Sequence, residues 1–166
     1  WLIPLVVLVI LVLGFFLFKP RIATYYYEKG TILSDSAKFE QAIKQYDRAL
    51  WLDDSKSDYY TAKGLALDSL GSFEEAIGNY SNALKIDSTN ARTFYYRGMS
   101  YSDMQQWASA IEDFSTALEQ DAEYIGAYYQ RGLARMQLRN FQDATEDFSS
   151  VIQRDSSLAD AYFKRG

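Results

Sequence analysis

The chain has 166 residues, a formal net charge of −5, and neither histidine nor cysteine. This composition excludes thiol nucleophiles, disulfides, histidine general bases and the common zinc sites. No glycine-rich phosphate loop or nucleophile elbow occurs either. The acidic balance and the lack of a clustered basic stripe argue against a nucleic-acid partner. We therefore expect no catalytic residue, no cofactor, no metal ligand and no enzymatic activity.

An uncharged apolar segment, from Trp1 to Phe18, opens the chain. At a rise of ~1.5 Å per residue, a helix of this length reaches across most of a ~30 Å hydrocarbon layer. Bulky Phe15, Phe16 and Phe18 stand where a signal-peptide cleavage site needs small residues, which favours a retained anchor over a cleaved signal. The sequence therefore predicts a single transmembrane helix over residues 1–18.

The residues after the apolar segment bear on its orientation. Lys19 and Arg21 follow it directly, and positive residues that flank a span tend to stay in the cytoplasm. We therefore expect the rest of the chain on the cytoplasmic side. Residues 19–22 are predicted to be a short linker that keeps the next domain close to the bilayer. Because the chain opens on Trp1 rather than Met, we also expect further residues upstream, and their charges would bear on this orientation.

A 34-residue repeat fills the remainder of the chain. Units begin at residues 23, 57, 91, 125 and 159, and positions are counted from these starts without insertion or deletion. Position 8 is always glycine, position 7 is always basic, and positions 4, 17 and 24 are always aromatic. The glycines are Gly30, Gly64, Gly98, Gly132 and Gly166, and the aromatic residues at position 24 are Tyr46, Tyr80, Phe114 and Phe148.

Each unit contains two apolar stripes with helical spacing. Positions 4, 8 and 11 form the first stripe, and positions 20, 24, 27 and 28 form the second. A unit is therefore predicted to be two helices, A and B, with a turn near Gly71 and Ser72 in the second unit and near Arg139 and Asn140 in the fourth. Small residues at positions 8, 20 and 27 let the helices approach, while the rings fill the adjacent space and plug the crossing. The fold class is all-α.

These features resemble the tetratricopeptide repeat over residues 23–166. The resemblance implies a right-handed α-solenoid with four full repeats and the start of a fifth. Arg135 departs from the pattern, because it stands at position 11 where the earlier units have leucine or tyrosine. It indicates either a loosened layer or a buried ion pair. Since the array stops within a helix pair, we expect the chain to continue beyond Gly166. The units are 23–56, 57–90, 91–124, 125–158 and 159–166.

Two further sets of charged residues recur with the repeat. The aspartates at position 31 and the basic residues at position 7 are predicted to be structural, because a recurring position is more often scaffold than site. An aspartate between helices caps a following amide group or pairs with a neighbouring basic residue. The two sets are Asp53, Asp87, Asp121 and Asp155, and Lys29, Lys63, Arg97, Arg131 and Arg165.

The resemblance also implies a binding surface. In the family, A helices line a concave groove into which positions 2, 5, 9 and 12 face. In this chain those positions are mostly aromatic or apolar with few charges, which suits an extended peptide or a partner helix. The alternative is that some of these rings only complete the core. The candidate groove residues are Tyr27, Leu65, Arg92, Tyr95, Met99, Tyr129, Leu133 and Phe163.

These features together predict a membrane-anchored protein-interaction scaffold or an accessory subunit of a membrane protein complex. One alternative is the docking or sensory region of a longer protein whose catalytic domain follows. Another is an organelle import or co-chaperone receptor. The carboxylate clamp with which one subfamily binds chaperone tails is absent, since only Arg92 is suitable among the corresponding residues. In the first three units these are Tyr27, Thr31, Ala62, Arg92 and Tyr96.

Overall fold

The computed structural model describes the backbone of residues 2–165 and the side chains of residues 18–165. This part of the chain is entirely helical apart from short connections. From α3 onward, each odd-numbered helix begins at position 1 of a unit, and each even-numbered helix begins at position 17, so the predicted A and B helices are confirmed. The helices are α1 (Leu2–Asp35), α2 (Phe39–Leu52), α3 (Ser57–Asp68), α4 (Phe73–Ile86), α5 (Ala91–Asp103), α6 (Trp107–Gln120), α7 (Ile125–Gln137), α8 (Phe141–Arg154) and α9 (Ala159–Arg165).

The first A helix is longer than the repeat predicts. Helix α1 is continuous through residues 19–22, so these residues are helical rather than the linker that the sequence indicated. Pro20 lies inside the helix. An interior proline lacks its amide hydrogen bond and crowds the carbonyl group four residues earlier, yet the helix continues through Pro20. The Thr24 hydroxyl donates to the Pro20 carbonyl oxygen over 3.1 Å. The chain therefore passes into the solenoid without leaving the helical path.

The predicted transmembrane helix, residues 1–18, lies outside the part of the chain with described side chains, except for Phe18. The Phe18 side chain is exposed. Among the residues described in full, no helix has the length and apolar character to cross a bilayer. The anchor therefore stays a prediction.

Each full unit is built around a contact between the glycine of helix A and the position-24 ring of helix B. These rings are at most 2% exposed. A Cβ atom added to Gly64 would lie 2.6 Å from the Tyr80 ring, and one added to Gly98 would lie 2.7 Å from the Phe114 ring. Only glycine leaves room for the ring at this crossing. The predicted packing of small residues against large ones is confirmed.

The turn between helices A and B has the same backbone geometry in all four full units. Position 15 is in the left-handed region, with φ of 54° at Ala37, 74° at Gly71, 58° at Gln105 and 61° at Arg139. The next amide donates to the carbonyl oxygen of position 11, for example from Ser72 to Leu67 over 3.0 Å. This hydrogen bond closes a Schellman-type end of helix A. Only the second unit has the glycine that the conformation favours.

The position-31 aspartates organise the connection from each B helix to the next A helix. In each, a carboxylate oxygen accepts the backbone N–H two residues later, over 3.0 Å at Asp53, Asp87 and Asp121 and 2.9 Å at Asp155. Hydrogen bonds from the side chain and amide of that later residue hold the pKa of Asp53, Asp87 and Asp155 below the usual range. These aspartates are structural, as predicted.

Successive units stack through a face of helix A that the sequence did not reveal. Positions 3 and 10 of the second and later A helices are buried against the preceding unit, as Tyr59 and Ala66 show. In the first unit, the same positions are Tyr25 and Ile32, which are 57% and 66% exposed. The same helical positions are thus buried or exposed according to whether a described unit packs in front of them.

From the second unit to the fourth, the basic residue at position 7 connects neighbouring units, whereas Lys29 of the first unit is exposed. Arg97 donates to the Ser81 hydroxyl of the preceding unit over 3.0 Å and to both oxygens of Asp113 over 2.7 Å. Arg131 does the same with Ser115 and Asp147. Position 7 is therefore structural, as predicted.

Of the two alternatives for Arg135, a loosened layer or a buried ion pair, the structure has the ion pair. Its guanidinium lies 2.6 Å from Asp147, whose side chain is 3% exposed. The ring at position 17 of this unit, Phe141, is 60% exposed and does not plug the helix crossing as the sequence predicted. In the third unit, the ring of Trp107 packs in one cluster with Tyr101, the position-11 residue that Arg135 replaces. An arginine directed at Asp147 gives Phe141 no such apolar neighbour.

Candidate peptide-binding groove

Two pockets open along the A helices. The front pocket has a volume of about 350 Å³ and lies across α1, α3 and α5. The rear pocket has a volume of about 400 Å³ and lies across α5, α7 and the start of α9. The front pocket is lined by Tyr27, Thr31, Ser34, Asp35, Tyr46, Asp58, Thr61, Ala62, Leu65, Asn90 and Arg92, and the rear pocket by Tyr95, Ile125, Gly126, Tyr129, Gln130, Leu158, Asp160 and Ala161.

Tyrosine rings form one wall of the front pocket. Tyr27 stacks on Tyr59 with 4.7 Å between ring centroids and lies 5.9 Å from the Tyr46 ring. Burial, followed by the nearby Asp58 carboxylate, raises the pKa of Tyr27. Burial also raises the pKa of Tyr46. These phenols therefore stay neutral at physiological pH and present aromatic faces rather than a base.

The front pocket carries more charge than the sequence indicated. Arg92 is at its edge, where its Nε donates to the Tyr96 hydroxyl over 2.8 Å and its guanidinium carbon lies 5.3 Å from the Tyr96 ring centroid. The hydrogen bond to Tyr96 raises the pKa of Arg92, so it stays charged. Asp35 and Asp58 also line this pocket and are exposed. The expectation of a groove with few charges therefore does not hold at this end, where Asp58 and Arg92 at position 2 are joined by Asp35 at position 13, one residue beyond the positions considered.

The rear pocket is more apolar. Tyr95 packs against Phe114 and Tyr124, with ring centroids 5.8 Å and 4.8 Å away. The Tyr129 hydroxyl donates a hydrogen bond to Asp160, which raises the pKa of Tyr129 to about 12. The Asp160 carboxylate is thereby engaged, and the pocket presents mainly ring and aliphatic surface.

The structure brings together some of the predicted groove residues and leaves others apart. Tyr27, Leu65 and Arg92 share the front pocket, while Tyr95 and Tyr129 share the rear pocket. Three line neither pocket: Met99 packs on the core around Phe114, Leu133 is half-buried, and Phe163 is 80% exposed.

Sequence reasoning missed Asp35 and left Asp58 and Asp160 out of the candidate groove residues. Asp58 and Asp160 share position 2, so their charge was visible in the repeat register. Within residues 18–165, no group of three acidic side chains is arranged to hold a metal ion. The groove offers aromatic faces, apolar surface, carboxylates and one engaged guanidinium, which are means of binding rather than of proton transfer at neutral pH.

A solenoid of helix pairs with a pocketed groove along its A helices defines a class of repeat proteins. Sequence-family models for the tetratricopeptide repeat match residues 23–55 and 95–159, and a TPR-repeat model matches residues 64–105. Together these matches span most of the chain, so the chain belongs to the tetratricopeptide-repeat family. A search of curated protein sequences gives no significant match.

Solved structures share the fold. The crystal structure of MamA protein aligns with a TM-score of 0.83 at 22% identity, covering 87% of this chain and 79% of MamA. YrrB, described as a TPR protein with an unusual peptide-binding site, aligns with a TM-score of 0.76 at 26% identity, covering 84% of this chain and 72% of YrrB. The first TPR of Spaghetti (RPAP3), bound to the HSP90 peptide SRMEEVD, aligns with a TM-score of 0.65 at 26% identity, covering 68% of this chain and 90% of that domain.

Proposed function

We propose that this protein is a protein-interaction scaffold that binds a peptide or helix of a partner in its A-helix groove. The observation that carries the proposal is the pair of pockets that open side by side along that groove. Two structural neighbours at 26% identity are described by their peptide sites, YrrB and the Spaghetti domain. Neutral tyrosines and half-buried apolar side chains in this chain suit the same kind of occupant.

We also propose that residues 1–18 hold the scaffold at a membrane as a single-pass anchor, with the solenoid on the cytoplasmic side. The support is the uncharged apolar run and the positive residues Lys19 and Arg21 that follow it. A partner in the same membrane would make this chain an accessory subunit of a membrane complex.

The groove is tested by filling the rear pocket. A Cβ atom on Gly126 would be 3.5 Å from Tyr95, an ordinary contact, so Gly126→Gln extends into the pocket without displacing the core. Gly78→Gln is the matched control, because a Cβ there meets nothing within 4 Å on outer helix α4. Both changes replace a helical glycine with the same better helix former.

The readout is crosslinking and mass spectrometry on solubilised membranes that contain the full chain. We expect Gly126→Gln, and the double variant Tyr95→Ala with Tyr129→Ala, to lower partner recovery at least tenfold, while Gly78→Gln leaves it unchanged. Equal recovery with all variants, with the folds intact by circular dichroism, would contradict groove binding.

The anchor is tested separately by alkaline extraction of membranes. We expect the full chain to stay in the membrane fraction and a chain without residues 1–18 to leave it. Because the sequence has no cysteine, a single Ser36→Cys substitution at an exposed site reports orientation. Labelling of that cysteine in intact cells by a membrane-impermeant maleimide would contradict the cytoplasmic placement.

A further inference from the structure

The front pocket has an unbalanced charge. Three charged side chains line it, namely Asp35, Asp58 and Arg92. Arg92 already interacts with the hydroxyl and ring of Tyr96. Within residues 18–165, neither Asp35 nor Asp58 has an ion-pair partner or a side-chain hydrogen bond. The pocket therefore has two unpaired carboxylates and one guanidinium, so its charged lining is negative overall.

The two threonine hydroxyls of the same pocket are already engaged in hydrogen bonds. The Thr31 hydroxyl donates to the Tyr27 carbonyl oxygen over 3.1 Å. The Thr61 hydroxyl donates to the Ser57 carbonyl oxygen over 3.1 Å and lies 3.1 Å from the Thr93 hydroxyl. An anionic ligand in this pocket would therefore face two carboxylates that no ion pair neutralises, whereas a cationic ligand would find both as acceptors.

The walls of the pocket favour a particular cation. The rings of Tyr27 and Tyr46 line the pocket together with the two carboxylates, and the buried ring of Tyr59 stacks on Tyr27. A guanidinium or ammonium group gains from both, through charge-assisted hydrogen bonds to carboxylates and through contact with an aromatic face. An arginine satisfies both at once, because its planar group pairs with a carboxylate and stacks on a ring.

The rear pocket determines the second side chain that a ligand needs and its distance from the basic one. It adjoins the front pocket across α5, which contributes Arg92 to the one and Tyr95 to the other. The pockets centre on α3 and α7, two units apart, which corresponds to roughly 20 Å at a helix spacing of ~10 Å. An extended chain covers that distance with about six residues.

We propose that the groove selects an extended segment with an arginine or lysine in the front pocket and a large apolar side chain in the rear pocket, about six residues away. This rests on the proposed function and names the chemistry of its partner. The preference is opposite in sign to the acidic peptide SRMEEVD that is bound to the Spaghetti domain.

The probe is a displayed library of random 16-residue peptides, selected on the full chain in detergent micelles. We expect enrichment of arginine and lysine over aspartate and glutamate among the bound peptides, with an apolar residue about six positions from the basic one. A selected peptide is then synthesised with arginine, citrulline or glutamate at the basic position. We expect citrulline and glutamate to weaken binding at least tenfold in fluorescence anisotropy, and added salt to weaken only the arginine peptide strongly.

Variants assign the preference to the pocket. The pair Asp35→Asn with Asp58→Asn should remove most of the advantage of arginine over citrulline. The control pair is Glu74→Gln with Glu75→Gln, which removes the same charge from exposed side chains in the first turn of outer helix α4. We expect the control pair to retain the full advantage.

Two results would overturn the proposal and are distinguishable. Selection of acidic or uncharged peptides that Gly126→Gln still displaces would contradict the basic preference and leave groove binding standing. Failure to select any peptide, together with unchanged partner recovery by Gly126→Gln, would contradict both the preference and the proposed function.

Discussion

The second and fourth units stabilise the same helix crossing with different polar chemistry. In the second unit, position 24 is Tyr80, whose hydroxyl donates to Asp68 over 2.6 Å, and Ser100 of the next unit donates to the same carboxylate over 2.7 Å. In the fourth unit, position 24 is phenylalanine, and the polar contact is an ion pair between Asp147 and two arginines. The ring and glycine are constant, whereas the polar partners are exchangeable.

This comparison separates what the repeat requires from what it tolerates. Steric exclusion at the glycine specifies the crossing, and no polar group can substitute for it. A buried polar group needs a partner, but either a hydroxyl and carboxylate or a guanidinium and carboxylate meets that need. The second and fourth units therefore have distinct sensitivities to mutation at equivalent positions.

The largest difference is expected at position 23, which is Asp147 in the fourth unit and Asn79 in the second. Asp147→Ala leaves Arg131 and Arg135 without their carboxylate, and we expect a loss of about 3 kcal/mol in the free energy of unfolding. Asn79→Ala removes only an exposed hydrogen bond to a backbone carbonyl, and we expect a change below about 1 kcal/mol.

Urea denaturation followed by circular dichroism measures both changes. As a further control, Asp147→Ala combined with Arg131→Met and Arg135→Leu should regain most of the loss, since no buried charge is then left unpaired. Equal losses in the free energy of unfolding for Asp147→Ala and Asn79→Ala would show that the ion pairs do not distinguish the fourth unit from the second.

The next difference concerns the glycine at position 8. A Cβ atom would lie 2.6 Å from the ring at Gly64 but 3.0 Å at Gly132. We expect Gly64→Ala to destabilise the fold by about 1–3 kcal/mol through overpacking. At Gly132 the gain in helix propensity, up to about 1 kcal/mol, should offset most of a smaller clash. Hydrogen exchange within each unit measures the change, and a greater loss at Gly132 would reverse the predicted order.

A smaller effect is expected at the left-handed position 15. Arg139→Gly should raise the free energy of unfolding by about 1 kcal/mol, because glycine adopts this conformation without steric cost. Gly71→Ala should lower it by a similar amount, about 1 kcal/mol, although its Cβ atom would meet nothing within 4 Å. Thermal denaturation shows whether each variant is more or less stable than the native chain. A stabilising Gly71→Ala would refute the explanation by the left-handed backbone conformation.

The smallest effect is the pH dependence that Asp68 contributes in the second unit. Burial raises the pKa of Asp68. Because the folded protein then binds this proton more readily than the unfolded chain, the contribution of Asp68 to stability grows as pH falls through the raised pKa towards 3.8. We expect less than about 1 kcal/mol, because solvent screens a half-buried group.

Melting temperatures between pH 7 and pH 4 test this dependence. The advantage of the native chain over Asp68→Asn should increase towards low pH. Met136→Leu at the equivalent position 12 of the fourth unit should show no such trend, because neither side chain titrates. An advantage that shrinks with acidification would give the opposite sign and contradict the assignment.

The sequence was sufficient for the repeat bounds, the two helices of each unit and the contact between Gly64 and Tyr80, because each depends on spacing and side-chain size. It did not reveal the left-handed residue, since Ala37, Gln105 and Arg139 carry no glycine signal. Positions 3 and 10 were missed because their burial depends on the angle at which units stack.

The candidate groove was predicted in part. The tyrosines followed from the repeat register, but burial of Tyr95 against Phe114 and engagement of Arg92 by Tyr96 required coordinates. Asp35 was missed because it enters the front pocket from a position outside the usual groove set.

The uninterrupted path of α1 has a consequence for the direction in which the groove opens. A helix is a screw, so every residue inserted between Phe18 and Ile22 would turn the solenoid by about 100° about the helix axis and advance it by ~1.5 Å. The azimuth of the binding face relative to the segment before Lys19 is thus set by a residue count. One added alanine would aim the same intact groove at a different neighbour.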